Sequence, residues 1–272
     1  MKIVSAYRGM AAYAAAVRTA SPEEYPALWQ DLAVAPFWAD WAAGQPFEAR
    51  VRADFAQPYH DTAALEARAA LLAASGVEEL VAAALDRISA LLPKVEETAV
   101  CIYVLDPANR VVSERQHGLV GQCIGDNILL LIDPTVPDWR DWVPQVLAHE
   151  WHHTVWGYQY YFVQGHRSAD LLTSMVCDGQ AEAFGYLVAP GVTPLWPPVA
   201  DLAEVKVWHE VQAHLRSEDR QTYIRYMFGD REAGIPWCFG YQAGYHIVMS
   251  YLKAHPERSV TDLLAMEPWA IL

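Results

Sequence analysis

Two short runs of β-branched and aromatic residues, TAVCIYVL at 98–105 and NILLLID at 127–133, interrupt a chain whose other apolar periodicity is helical. They limit the sheet this protein can build. Between them lie a turn at Asp106-Pro107-Ala108-Asn109, a third strand candidate at Val111-Val112-Ser113, and a loop punctuated by Gly118, Gly121 and Gly125. Pro134 ends the last strand. The expected fold is therefore α+β and predominantly α-helical. A helical N-terminal lobe covers 1–95, a small β-sheet 96–135, and a second helical region 136–272. With no repeat, low-complexity tract or linker, the chain reads as a single domain over 1–272.

The helices have identifiable starts and stops. An Ala-rich stretch at 9–17 is too short and too interrupted for a signal peptide and reads as an amphipathic helix. Ser21-Pro22-Glu23-Glu24 forms a capping box with proline at the first helical position, followed by Tyr25, Leu28, Trp29 and Leu32 on one face. Further helices are expected over 61–74, stopped by Gly76, and over 77–92, stopped by Pro93. In the last part, 142–156 carries Pro144 in its first turn and ends at Gly157. Ser168 caps a helix running to 188, before Pro190-Gly191. Helices over 199–215, 220–227 and 240–254 complete the reading. The first third carries no identifiable chemistry.

Bulk properties exclude several partners. The 272 residues are 53% hydrophobic, enough for a sizeable core, and the formal net charge is −14. That balance argues against nucleic acid and against anionic membrane surfaces, where Lys and Arg must supply the attraction. No run of about 18 uncharged apolar residues is present, so no membrane span is expected. A cytoplasmic protein is the reading. Cys101, Cys123, Cys177 and Cys238 are scattered without a C-x-x-C pair and read as free, mostly buried thiols.

The chemistry concentrates at His149-Glu150-Trp151-His152-His153, which fits H-E-x-x-H. On a helix, positions i and i+4 share a face one turn apart. His149 and His153 can thus both direct a ring nitrogen at one Zn²⁺ at about 2.0–2.1 Å. Glu150, beside that face, can take a proton at the open coordination position. Val146, Leu147 and Trp156 mark the helix as buried. His152 lies off the ligand face and reads as exposed. A third ligand is needed, and Asp178 and Glu182 are again i and i+4, on a helix with Leu171, Leu172, Met175 and Val176. Two acids on an apolar helix require a counter-charge, which Zn²⁺ and a ligand histidine supply.

An H-E-x-x-H followed on the next helix by acid-x-x-x-acid resembles the gluzincin group of zincins, typified by thermolysin and the aminopeptidases. The resemblance implies that Asp178 is the third metal ligand and that Glu182 buttresses a ligand histidine. The chain departs from the pattern in having D-G-Q-A where the group has E-G-x-A. Aspartate is one methylene shorter, so Glu182 remains the alternative ligand. A wider resemblance, to the YjaZ-like predicted Zn-dependent proteases, is carried by LLLIDP (129–134), LAHEWHHTVW (147–156), DGQAEAFG (178–185) and FGYQAGYHIVMSYL (239–252). It implies a zincin-like fold and a peptide or protein substrate. It also implies that Tyr241, Tyr245 or His246 donates to the oxyanion of a tetrahedral intermediate, and that the strand at 127–133 pairs with an extended substrate. Plain aromatic packing is the other reading of the two tyrosines. A zinc metallopeptidase with Glu150 as general base is the leading function. The alternative is a zincin-like module that binds metal but has weak or no turnover.

Overall fold

The computed structural model describes residues 1–195, 202 and 205–272. They form a mostly helical α+β structure with one four-stranded mixed sheet. Two compact units are present, Met1–Thr154 and Val155–Leu272.

The first unit begins with β1 (Lys2–Val4) and α1 (Tyr7–Ala16). Next come α2 (Tyr25–Leu28), a π-helical turn at Trp29–Val34, α3 (Ala35–Trp41), α4 (Glu48–Asp54), α5 (Thr62–Ala74) and α6 (Val77–Leu91). The sheet is completed by β2 (Ala99–Val104), β3 (Leu119–Ile124) and β4 (Asn127–Ile132), with α7 (Arg110–Arg115) between β2 and β3. Helix α8 (Trp139–Gly157) follows. Strand order is β1-β2-β4-β3. β1, β2 and β4 run parallel, and β3 lies antiparallel on the edge beside β4. Parallel neighbours need long crossovers, and α1 to α6 supply the one between β1 and β2. Every residue of β2 is buried, which is why its sequence is an unbroken apolar run.

The core of this unit is built from large rings with polar tips, most of which find a partner when buried, although among the described residues the Tyr13 hydroxyl and Trp41 Nε1 are buried without one. Trp29 Nε1 donates to the Phe55 carbonyl at 2.9 Å, and the Tyr103 hydroxyl to the Ala33 carbonyl at 3.1 Å. Asn127 ties strand to helix: its amide donates to the Trp41 carbonyl and its oxygen accepts from the Ala99 N–H, both at 2.8 Å.

Several expectations hold. The helix expected over 61–74 is α5, which Asp61 starts by accepting from the Ala64 N–H, and Gly76 takes the left-handed conformation between α5 and α6. The capping box at Ser21 and Glu24 is present, but the helix after it breaks within one turn into the π-helical segment. Other expectations are corrected. Val111-Val112-Ser113 lies in α7, because the Asn109 side chain accepts from the Val112 N–H and starts a helix there. The glycine-punctuated stretch is a strand: Gly118 and Gly125 hold the positive φ angles at its two ends, while Gly121 sits inside β3. Helix α8 starts one turn earlier than expected, so Pro144 falls inside it.

The second unit contains the end of α8, a π-helical turn at Tyr158–Val163, and α9 (Leu171–Val188). It continues through α10 (Lys206–Gln212), α11 (Arg220–Phe228) and α12 (Phe239–Ala254). Gly157 does not break the helix, since its φ and ψ remain helical and π-helical turns continue past it. Asp170, not Ser168, caps α9. Its carboxylate accepts from the Thr173 N–H at 2.9 Å and from Trp269 Nε1 at 2.8 Å. The helix expected over 199–215 begins outside the described residues. Helices α9 and α12 cross in backbone contact. A Cβ on Gly244 would collide with the Met175 carbonyl, and one on Gly179 with the backbone of Gly244.

Candidate metal centre

Helix α8 presents the first half of the site. His149 and His153 sit one turn apart with their Nε2 atoms 3.0 Å apart and their rings edge-to-face. Tetrahedral zinc with bonds of about 2.0–2.1 Å separates two ligand atoms by roughly 3.3 Å, so the pair already spans one edge of such a polyhedron. His149 and Glu150 are buried, and His153 is partly exposed. His152 is fully buried, which overturns its reading as an exposed residue. The run from Leu147 to His152 is buried on every side, so this part of α8 has no solvent face for it to occupy. Two contacts fix the helix. Trp151 Nε1 donates to the Leu92 carbonyl at 2.8 Å. Lys94 donates to Thr154 Oγ1 at 2.9 Å and to the Asp126 carbonyl at 3.1 Å. Burial pulls the Lys94 pKa down, against the nearby Asp126 charge.

The face of the sheet under Glu150 is β3. The Glu150 side chain lies over Gly121, where a Cβ would fall 2.7 Å from its Oε1 and 2.9 Å from its Cδ. Two residues along the same strand, the Cys123 thiol donates to the Gly125 carbonyl at 3.2 Å. Burial, and then the charge of Glu150, push that thiol pKa far up. The strand expected to meet an extended substrate, at 127–133, cannot do so. β4 is central, hydrogen-bonded to β2 on one side and to β3 on the other, and has no edge to offer. The neighbouring edge belongs to β3.

Helix α9 carries the acids. Asp178 and Glu182 are both buried. One donor atom each from His149, His153 and Asp178 lies within 4.8 Å of the others. Two imidazoles and a carboxylate are a donor set suited to Zn²⁺ with a fourth position open, so the residues fit the ion that the sequence implied. Glu182 has a different environment. Tyr186, one turn along α9, hydrogen-bonds its carboxylate, and the Tyr186 oxygen accepts from the Leu195 N–H at 3.1 Å. Burial first, and then the Glu182 charge, hold the tyrosine pKa far above its usual value.

The three aromatic candidates on α12 separate. Tyr245 packs edge-to-face on Tyr186, with ring centroids 5.5 Å apart, and its pKa is raised by burial and by Glu182. Tyr241 lies against Phe228 at 6.0 Å. His246 Nε2 pairs with Ser250 Oγ at 3.3 Å, one turn along its own helix. Sequence reasoning missed Gly121 and Tyr186. The first was read only as a loop breaker. The second stands four residues after Glu182, the same spacing that singled out the histidines.

All four cysteines are free, and among the described residues no helix is long and apolar enough to cross a membrane. Residues 77–272 match the family described as "Predicted Zn-dependent protease (DUF2268)". A curated relative, the uncharacterized protein YjfC of Bacillus subtilis (strain 168), is 28% identical over 125 residues, which cover 42% of this chain and 40% of YjfC. The chain thus spans about two fifths of that relative's length. No solved structure matches it.

Proposed function

Because the chain belongs to the family of predicted Zn-dependent proteases, we propose that it is a zinc metallopeptidase in which His149, His153 and Asp178 hold the ion and Glu150 is the general base. The observation that carries this reading is the convergence of three donor atoms from these residues within 4.8 Å. When bound, zinc supplies a Lewis acid for the scissile carbonyl and lowers the pKa of water toward about 7.

The protein's own groups do the rest. His149 and His153 come from consecutive turns of one helix, so their relative geometry is set before any ligand arrives. Glu150 accepts a proton from the attacking water and passes it to the leaving amine. Glu182 orients a ligand histidine, and Tyr186 holds Glu182 in turn. Tyr245, protonated at neutral pH as an ordinary tyrosine is, serves as the donor to the developing oxyanion. An extended peptide lies along the edge of β3, the strand over which Glu150 rests.

Metal analysis and turnover on peptide libraries test the proposal together. Wild type should hold about one zinc per chain, and His149→Ala and His153→Ala should each lose tight binding. Glu150→Gln should keep the zinc and lose a factor of 10² or more in kcat. Full zinc retention in both histidine variants rules the site out. Zinc binding without hydrolysis in wild type favours a binding module. Unchanged turnover in Glu150→Gln removes Glu150 as the base.

A further inference from the structure

Glycine inside a strand is costly, since it gives up side-chain packing and loses the most backbone freedom on folding. Gly118 and Gly125, at the ends of β3, are explained by their positive φ angles of 73° and 61°. Gly121 is not: its φ is not positive, and it pairs in regular register with Leu130. Any residue can adopt that backbone conformation. What a side chain there would meet is Glu150. The built Cβ collides with Glu150 Cγ and approaches Oε1 at 2.7 Å and Cδ at 2.9 Å. The glutamate is itself buried, so its carboxylate has little free volume into which to withdraw.

We infer that Gly121 is a positioning residue for Glu150: the missing side chain is the recess that sets where the carboxylate rests. The inference builds on the reading of Glu150 as general base, yet the recess itself exists whatever reaction the protein performs. A methyl group at position 121 meets the Glu150 side chain before any other group and forces its carboxylate aside. Misplacement of a reacting group by about 1 Å can cost on the order of 10²-fold in rate.

The test is a double-mutant cycle between Gly121→Ala and Glu150→Ala, read first as thermal stability of the zinc-free protein and then as kcat, KM and zinc content. In the wild-type background Gly121→Ala should lower Tm by roughly 3–10 °C, as overpacking does. In the Glu150→Ala background the same substitution should have no effect or raise Tm, because the obstructing atoms are gone and alanine suits a strand better than glycine. With zinc restored, Gly121→Ala should retain full metal content and KM while kcat falls by roughly 10–100-fold. An equal loss of Tm in both backgrounds, or no loss in either, overturns the assignment and makes Gly121 an ordinary strand residue. Failure of Glu150→Gln to reduce turnover would instead remove the general base while leaving the stability cycle intact, so the two failures are distinguishable.

Discussion

Glu150 and the acid pair Asp178 and Glu182 are placed by opposite uses of glycine. Under Glu150, a side chain fills the space that Gly121 leaves open on β3. Beneath the acid pair, backbone fills the space: Gly179 and Gly244 let α9 and α12 meet with no side chain between them. The first arrangement is a contact between one flexible side chain and one strand. The second is a crossing of two rigid helices. Rigid backbone cannot yield locally, so an error at the crossing displaces everything on both helices, whereas an error at the recess moves one carboxylate.

Gly244→Ala should have the largest effect. Its Cβ falls on the Met175 carbonyl, and no rotamer change relieves it. We expect a loss of about 3–5 kcal/mol by urea denaturation, with amide exchange accelerated along α9 and α12 together. Wild-type stability in this variant would show that the helices slide apart easily and that the contrast with Gly121 is false. A smaller effect is expected at Tyr186→Phe, which removes the hydroxyl from Glu182 and leaves the Leu195 N–H without that acceptor. Stability should fall by about 1–3 kcal/mol and zinc affinity by roughly tenfold. Unchanged affinity would separate Glu182 from the metal centre.

The smallest effect calibrates the comparison with an acid held by neither device. Glu78 is seated by donors: Tyr7 Oη at 2.6 Å, Ser5 Oγ at 2.7 Å and Arg8 at 3.1 Å. Burial pushes its pKa up, but the bonds from Tyr7, Ser5 and Arg8 outweigh it and bring the value to about 2. A depressed folded pKa means stability present above the unfolded value near 4.3 and lost as pH falls through about 2. Glu78→Gln should therefore cost about 1 kcal/mol at pH 7, after discounting for solvent around Arg8. That gap should close between pH 5 and pH 2 in denaturation measured at each pH. A gap that persists at pH 2 would mean that shape rather than charge matters at this position.

The two halves of the site differ in legibility for the same physical reason that they differ in rigidity. Whether His149 and His153 meet depends only on four residues of helix, so their spacing discloses it. The acid spacing at Asp178 and Glu182 was equally visible, but what Glu182 bonds to depends on Tyr186 and Leu195, and the crossing depends on Gly244, 65 positions beyond Gly179. The sheet shows the same division. β2 and β4 announce themselves as apolar runs because both faces are buried. β3 carries a glycine where a strand former would be expected, since Glu150 fills its place, and this disguised it as a loop. β1 is three residues long and is held by a partner remote in sequence, so no local signal marks it. Val111 and Val112 mislead in the other direction: β-branching favours a strand, and a single capping asparagine prevails over it.

The β1 pairing bears on how the sheet is assembled. Lys2 meets Ala99, 97 residues on, whereas Val100 meets Ile128 after only 28, and β3 and β4 are adjacent hairpin strands. Loop closure grows with the logarithm of length, so attaching β1 costs only about 1 kcal/mol more than joining β2 to β4. Its three residues recover little of that through hydrogen bonds. The hairpin, then β2, then β1 is the order in which closure becomes affordable, and fraying runs the other way. The first strand in the chain is thus expected to dock last and let go first, so that amide exchange should be faster in β1 than in β2 and β4, with the β3 recess under Glu150 kept intact.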